Sequence, residues 1–285
     1  MLLGDAASSC LIAAVFGACG ILGLRYVFYV AVYERVRLYL RRRGPGYEMY
    51  TPVVTEELWE GLGSAGIVAL GSWALYSGHN AGCTLTDTSG CLRGWPDHSI
   101  PWTIDALFLL HIAWYTQCTT KHWFGLGRLQ GLDAALHHAF TLCLHAMSYT
   151  LKLLRVGLLA HWIFVATNPL LSVSKLLHCL DVRPGKKVFF VFFATCYLAT
   201  RVLMVPIVLL PCTLIDVWHI PLDHRAASAA NGFLLLLYGL SLFWFGRLLG
   251  ILLTGKLDST PRMVVAAAEV RRWQKRQAQP AGGSI

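Results

Sequence analysis

The fold is decided by residues 134–149, which read AALHHAFTLCLHAMSY. Apolar and polar residues do not alternate in this stretch as they do in the strands of a membrane barrel. Because a segment buried in lipid must satisfy its own backbone hydrogen bonds, we expect a membrane helix. The whole chain agrees with this interpretation, since 56% of its 285 residues are hydrophobic and 14% are charged, against roughly 25% charged residues in a soluble domain.

One face of this helix is polar. At 100° per residue, His138, His145 and Tyr149 lie within about 40° of one another. An adjoining stripe holds His137, Thr141 and Ser148. Polar groups are costly in hydrocarbon, so this face must line the interior of a bundle or a cavity. Because histidine exchanges protons near neutral pH, the face is a candidate catalytic or ligand-binding site; the alternative is a set of hydrogen bonds between helices.

Apolar segments lie on both sides of this stretch. Pro169 interrupts one of them and predicts a kink. The sequence therefore predicts an all-α polytopic membrane bundle of about seven transmembrane helices. The predicted spans are 6–33, 61–76, 101–120, 134–151, 156–174, 188–215 and 226–246, with Leu253 as an alternative end of the last.

The basic residues predict the orientation of the chain. With seven spans, 18 of the 24 Lys and Arg residues fall on one side and four on the other, while Arg25 and Arg201 lie within spans. The positive-inside rule then places the N-terminus in the lumen and the C-terminus in the cytoplasm.

The polar loop with Cys83 and Cys91 falls on the oxidising side, where the two cysteines could form a disulfide. Two free thiols are the alternative. The basic residues behind the net charge of +9 are therefore explained by the orientation of the spans and by attraction to anionic lipid headgroups. No nucleic acid is expected as a partner.

Further polar residues lie within the predicted spans. His161 and Asn168 are seven apart and share one helix face, and His111 lies on the third span. Arg201 in the sixth span needs a partner or an anion. No metal site is predicted, because the histidine spacing of the fourth span matches no recognised zinc motif. Asp133 is expected to cap the start of that helix.

An ordered string of motifs runs through the fourth and fifth spans. It consists of His137-His138, Thr141, Ser148-Tyr149, Arg155-Val156-Gly157 and Lys175. This string, which covers about 40 residues, resembles the TLC domain, the fold shared by translocating-chain-associating membrane proteins, ceramide synthases and CLN8-type proteins. The domain would cover roughly residues 50–255.

The resemblance implies a seven-span protein of the endoplasmic reticulum with a cavity for a long acyl chain. In the catalytic branch of the family it implies transfer of an acyl group from acyl-CoA to a sphingoid-base amine, with His137 and His138 at the reacting centre. No bound cofactor is expected, and acyl-CoA would be a co-substrate. The candidate cavity residues are Thr141, His145, Ser148, Tyr149, His161, Asn168 and Arg201.

The resemblance also divides the chain into three parts. Residues 1–50 form the first transmembrane helix and a basic cytoplasmic loop, and residues 51–255 form a TLC-like membrane domain of six helices. Residues 256–285 form a basic cytoplasmic tail, in which Thr260 is expected to begin a short interfacial helix. Membrane lipids are the expected partners, and the oligomeric state is left open, with a homo-oligomer as one alternative.

The chain departs from the ceramide synthase pattern at three positions. Counted from Arg155 without gaps, that pattern expects His-Asp at Phe164-Val165 and Asp at Asn168. The retained histidines favour an acyltransferase, whereas the missing aspartates favour a non-enzymatic lipid-binding, membrane-composition or trafficking factor. A channel or transporter is disfavoured, because the sequence has neither an inverted repeat nor paired broken helices.

Overall fold

The computed structural model describes residues 8–44, 46–80, 82–128, 131–182 and 184–255. These residues form helices and connecting loops and contain no β-strand, which confirms the all-α fold. The predicted tail and its interfacial helix lie outside the described residues. We number seven helices in chain order: α1 Ser8–Arg43, α2 Thr51–Tyr76, α3 Trp102–Thr120, α4 Leu132–Thr150, α5 Leu154–Cys179, α6 Gly185–His219 and α7 His224–Thr254.

Four of the seven helices, α1, α5, α6 and α7, are by length and composition alone able to cross a membrane. The other three are 26, 19 and 19 residues long, which is also enough to span hydrocarbon about 30 Å thick. They are less apolar because they carry the polar side chains of the bundle interior. Large apolar side chains face outward instead, such as Phe16 of α1 and Ile207 of α6. The chain is an integral membrane protein.

Helix α4 packs between α3 and α7. Helix α1 packs on α2 and α3, and α2 runs beside the second half of α5. The first half of α5 contacts α6 and also touches α2, α3 and α4. The polar face of α4 therefore meets α3 and α5, the two helices that carry the other buried histidines.

Two helices are irregular where proline occurs. Helix α5 is divided into Leu154–Val165 and Asn168–Cys179, with Pro169 in the first turn of the second half, which confirms the predicted kink. Helix α6 contains a π-helical segment, Leu198–Leu209, that includes Pro206. Proline removes a backbone donor and clashes with the preceding turn, so the hydrogen-bond ladder is disturbed there.

Three carboxylates of α2 join five parts of the chain. Glu56, Glu57 and Glu60 lie in its first half and accept from basic side chains on other elements. Their partners are Arg25 of α1, Lys121 after α3, Arg128 in the next loop and Lys175 of α5. We call these seven side chains the ion-pair network. Because a charge in a low-dielectric interior needs an opposite charge nearby, the network fixes how these elements meet.

The Lys121 ammonium lies in direct contact with two carboxylates of the ion-pair network. Its Nζ lies 2.7 Å from Oε1 of Glu56 and 2.8 Å from Oε1 of Glu60, and the side chain is almost fully buried. Burial alone would lower the pKa of Lys121, but the carboxylates of Glu60 and Glu56 outweigh it and raise the pKa above its ordinary value. The ammonium therefore stays charged.

Helix α2 contains the predicted second span, 61–76, and begins ten residues earlier, at Thr51. The added segment, 51–60, contains three glutamates, and single charged residues are unfavourable in a membrane helix. In the structure they continue the helix, since their charges are paired with partners distant in sequence. The third span differs little from its prediction, and α7 ends at Thr254, one residue beyond the longer of the two predicted ends.

The loop between α2 and α3 is closed by a disulfide between Cys83 and Cys91 and is held to the start of α5. Arg155 donates from its guanidinium to backbone carbonyls of this loop, those of Gly90, Arg93 and Ser99. The Asn80 side chain donates to the Arg155 carbonyl at 3.3 Å. This loop therefore forms a fixed cover over one end of the bundle, opposite the ion-pair network.

The ion-pair network should contribute strongly to stability. We expect Glu56→Gln to lower the free energy of unfolding by about 3–5 kcal/mol, because buried cations lose their counter-charge. Glu34→Gln is the matched control: Glu34 pairs with Arg37 on the exposed surface, and such pairs contribute about 0–1 kcal/mol. Thermal unfolding midpoints in detergent compare the two variants. Equal midpoints would contradict a structural role for the network.

The orientation of the bundle can be tested by glycosylation. We expect an Asn-X-Ser acceptor inserted between Thr84 and Ser89 to be glycosylated in microsomes, because the loop should face the lumen. The same acceptor placed after residue 255 should stay unmodified. A gel-mobility shift removed by glycosidase is the measurement, and glycans at both sites would contradict an odd number of spans.

Candidate functional site

The buried side of α4 is a single stripe along the helix. His137, Thr141, His145 and Ser148 are all less than 10% exposed, and their spacing of four, four and three residues follows one helix face. Tyr149, which the sequence placed on the same face as His138 and His145, is half-buried at the edge, as is His138. Of the first predicted stripe only His145 is buried, and it lies in line with the buried residues of the second stripe.

Three histidines from different helices meet beside this stripe. His111 of α3, His145 of α4 and His161 of α5 each offer a ring nitrogen, and these nitrogens all lie within 4.8 Å of one another. The His145 Nε2 to His161 Nδ1 distance is 3.1 Å, and the rings of His111 and His161 lie 3.5 Å apart, centre to centre. We call these residues the histidine cluster. In the sequence these three residues lie on three different predicted spans.

Helix α4 also holds one histidine of the cluster in a defined orientation. His145 Nδ1 lies 2.7 Å from the carbonyl oxygen of Thr141. A carbonyl only accepts hydrogen bonds, so Nδ1 carries the proton and Nε2 of the neutral ring has its lone pair directed at the cluster. The His161 Nε2 and His111 Nε2 atoms are buried and have no hydrogen-bond partner among the described residues.

An apolar cavity borders the histidine cluster. Its polar wall is formed mainly by Thr141, His145, Ser148, His161 and Asn231, and the rest is largely aliphatic and aromatic. Helices α4, α5, α6 and α7 supply most of the lining, and the disulfide loop adds Leu92. The cavity therefore lies toward the end of the bundle covered by that loop. An apolar space with a few convergent polar groups is typical of a small-molecule site.

The predicted catalytic pair lies outside this cavity wall. His138 is separated from the cavity by Tyr115, whose ring centre is 5.4 Å from that of His138 and 5.8 Å from that of His145. His137 packs against Trp244 of α7 at 5.1 Å. The Nδ1 atoms of His137 and His138 are buried and have no hydrogen-bond partner in the described part of the chain. The catalytic role of the pair stays a prediction.

The remaining candidate residues divide between two places. Thr141, Ser148 and His161 belong to the cavity wall. Asn168 and Arg201 bond to each other, with a guanidinium nitrogen 2.5 Å from the Asn168 amide oxygen, and Arg201 also lies over the ring of Tyr197. Neither lines the cavity, and Arg201 is buried between helices. The structure thus supplies the partner that an intramembrane arginine needs.

Asp133 is not the helix cap that the sequence suggested. Residue Gly131 precedes the first helical residue, and no side chain caps that end. The Asp133 carboxylate instead accepts from Trp244 Nε1 at 2.8 Å and lies 3.7 Å from the Arg247 guanidinium. A tertiary contact with α7 has replaced the local one. This contact holds the Trp244 ring, which packs against His137.

Gly157 allows α5 to approach α3 and α4 next to the cavity. A Cβ atom at this position would lie 2.7 Å from Cζ of Phe108 and 3.1 Å from Cβ of Ser148. Both distances are shorter than ordinary van der Waals contact. The Arg-Val-Gly motif therefore has a structural explanation, since Arg155 holds the loop and Gly157 permits close packing.

Gly157→Ala should destabilise the protein by about 1–3 kcal/mol, the usual cost of adding a methyl group to a filled core. Gly232→Ala is the matched control, because a Cβ there meets nothing within 4 Å and alanine favours a helix by about 1 kcal/mol. Thermal midpoints in detergent measure both effects. A Gly157→Ala protein as stable as the Gly232→Ala protein would contradict the close approach.

Comparison with known proteins adds a family and several relatives. Residues 54–250 match the model of the TLC domain. The chain is 25% identical to ceramide synthase 5 of Homo sapiens over 186 residues, which cover 64% of this chain and 47% of that protein. It is 25% identical to ceramide synthase hyl-1 of Caenorhabditis elegans over 172 residues, 56% of this chain and 47% of that protein. For ceramide synthase 4 of Bos taurus the identity is 25% and the coverages are 58% and 41%. The chain spans about half the length, or less, of these relatives.

Proposed function

Since the chain belongs to the TLC-domain family, we propose that it acts in sphingolipid metabolism as an acyl-CoA-dependent N-acyltransferase of the endoplasmic reticulum membrane. The substrates are a long-chain acyl-CoA and a sphingoid base. Similarity to the ceramide synthases supports this choice of substrates, and the identity of about 25% leaves the activity to be tested.

The observation that carries the proposal is an apolar cavity with imidazoles and hydroxyls in one wall. The apolar part accepts hydrocarbon, since His145, Ser148 and Thr141 are nearly the only polar groups along α4 that border it. A lipid with its chain among the aliphatic side chains would place its polar end against this wall. His138 lies one aromatic ring beyond, behind Tyr115.

The reaction needs a base for the attacking amine. The amine nitrogen attacks the thioester carbonyl carbon, the new C–N bond forms, and the C–S bond breaks to release the thiolate of coenzyme A. An imidazole takes the proton that the amine loses and returns it to the thiolate. His138 and His137 have unengaged Nδ1 atoms for this transfer. Tyr115 would have to turn aside for His138 to reach a substrate in the cavity.

A second candidate function is a non-enzymatic lipid-binding or lipid-homeostasis role. It is favoured by the residues that replace the acidic positions of the ceramide synthase pattern. Phe164 and Val165 are buried apolar side chains, and Asn168 is engaged by Arg201. Without a carboxylate to orient it, an imidazole is a weaker and less well positioned base.

An assay with the purified chain distinguishes the two functions. We expect amide product from acyl-CoA and sphingoid base, detected by mass spectrometry, and a loss of about 10²-fold or more in rate for His138→Ala, the usual contribution of a general base. His219→Ala is the matched control, because His219 is exposed at the end of α6. It should retain full activity.

Two outcomes would change the conclusion. Amide product that is still formed by the double variant His137→Ala, His138→Ala would contradict the catalytic assignment of this pair. No product from the unmodified chain, together with a lipid that co-purifies in stoichiometric amount, would favour the lipid-binding role. Size-exclusion profiles of each variant show whether a loss of product reflects misfolding.

A further inference from the structure

We infer that His111, His145 and His161 bind a divalent transition-metal ion, and that Zn²⁺ is the ion they fit best. The inference goes beyond acyl transfer and does not depend on it. It rests on the convergence, burial and orientation of three imidazoles that come from three helices. Imidazole is a preferred ligand of Zn²⁺, and three histidines make a complete protein ligand set in catalytic-type zinc sites.

The distances suit such a site. In tetrahedral zinc coordination with Zn–N bonds of about 2.0–2.1 Å, neighbouring ligand nitrogens are about 3.3–3.4 Å apart. His145 Nε2 and His161 Nδ1 are already 3.1 Å apart, and all three candidate nitrogens lie within 4.8 Å of one another. The largest adjustment needed is about 1.5 Å. The His111 ring, which now lies 3.5 Å from the His161 ring, centre to centre, would have to turn to direct a nitrogen at the ion.

Burial leaves these imidazoles in need of a partner. His111, His145 and His161 are 1%, 7% and 3% exposed. The Nε2 atoms of His111 and His161 have no hydrogen-bond partner among the described residues. Leaving a buried polar atom unpaired costs about 1–3 kcal/mol. A metal ion would engage one nitrogen of each ring and replace the single His145–His161 contact.

One ligand is already oriented as in known metal sites. A metal-binding histidine almost always donates its other ring N–H to a carbonyl, carboxylate or water, which fixes its tautomer. His145 does this with the Thr141 carbonyl at 2.7 Å. Its Nε2 lone pair is therefore held toward His161. The contact lies within α4, so the rest of the bundle need not move to present this ligand.

The fourth coordination position would open toward the cavity. His145 and His161 both line it, together with the hydroxyl-bearing Thr141 and Ser148. Three neutral imidazoles leave the two positive charges of the ion uncompensated. An anionic fourth ligand, hydroxide or a lipid carboxylate, would lower the net charge in the low-dielectric interior. The site therefore has the open form in which zinc binds a water or a substrate oxygen.

The alternative is a chain of hydrogen-bonded imidazoles without a metal. His161 would then donate from Nδ1 to His145 Nε2, as the 3.1 Å distance allows. That arrangement leaves the buried Nε2 atom of His111 without a partner among the described residues. A metal ion held by His145 Nε2, His161 Nδ1 and a nitrogen of His111 would engage all three rings. The two arrangements differ in one measurable property, the affinity for metal.

The test uses the full chain purified in detergent through a tag without histidines. We expect about one Zn²⁺ per chain by elemental mass spectrometry, as a three-histidine site implies. After chelation and dialysis, added Co²⁺ should give the intense visible absorption of tetrahedral coordination, and Zn²⁺ should abolish it. An unmodified chain that takes up neither ion stoichiometrically would overturn the site and leave the imidazole chain.

Variants assign the metal to these residues. His111→Gln and His161→Gln keep a polar side chain of similar size, and each should weaken Co²⁺ binding by at least about tenfold, as loss of even a supporting contact does in metal sites. His219→Gln, at an exposed histidine, should bind as the unmodified chain does. Unchanged Co²⁺ spectra in both cluster variants would overturn the assignment. Because binding is measured directly, a chain that binds zinc but makes no amide leaves this inference standing.

Discussion

Three carboxylates in the first half of α2 impose the constraint on which the bundle depends. Glu56 and Glu57 are buried, and Glu60 bonds both Arg25 and Lys121. A carboxylate in a membrane interior is tolerated only beside a positive charge and with its hydrogen bonds satisfied. Because the cations come from α1, the end of α3, the next loop and α5, the need to pair them fixes the relative positions of these elements.

The opposite end of the bundle is held in a different way. There the disulfide loop is bound by Arg155 through backbone carbonyls, and the Trp95 indole donates to the Leu151 carbonyl at 2.9 Å. One end is therefore fixed by ion pairs and the other by a covered loop. The cavity and the histidine cluster lie between them, away from the outer surface of the bundle.

This arrangement separates the histidines of α4 into two environments. His145 faces α3 and α5 and joins the histidine cluster beside the cavity, whereas His137 packs against Trp244 of α7. His138 lies between, behind the ring of Tyr115.

For an acyltransferase, Tyr115 would control whether His138 meets the substrate. For a lipid-binding protein, the same ring would simply close the polar end of the cavity. A metal in the histidine cluster is compatible with both roles, because it uses the cavity wall and leaves His138 free.

The sequence by itself determined that the chain is a helical membrane protein of about seven spans, with a kink at Pro169 and a polar inward face on α4. These features follow from composition, periodicity and proline chemistry, which act over a few neighbouring residues. The resemblance in the fourth and fifth spans also led to the family. Tertiary structure alone decided the rest: the burial of Glu56 within α2, the pairing of Asn168 with Arg201, and the meeting of His111, His145 and His161. Each of these features joins residues that are 16 or more positions apart, and most are more than 30 apart. Burying a charge or an imidazole is energetically unfavourable unless a partner from another helix pairs with it, and the sequence alone does not show that partner.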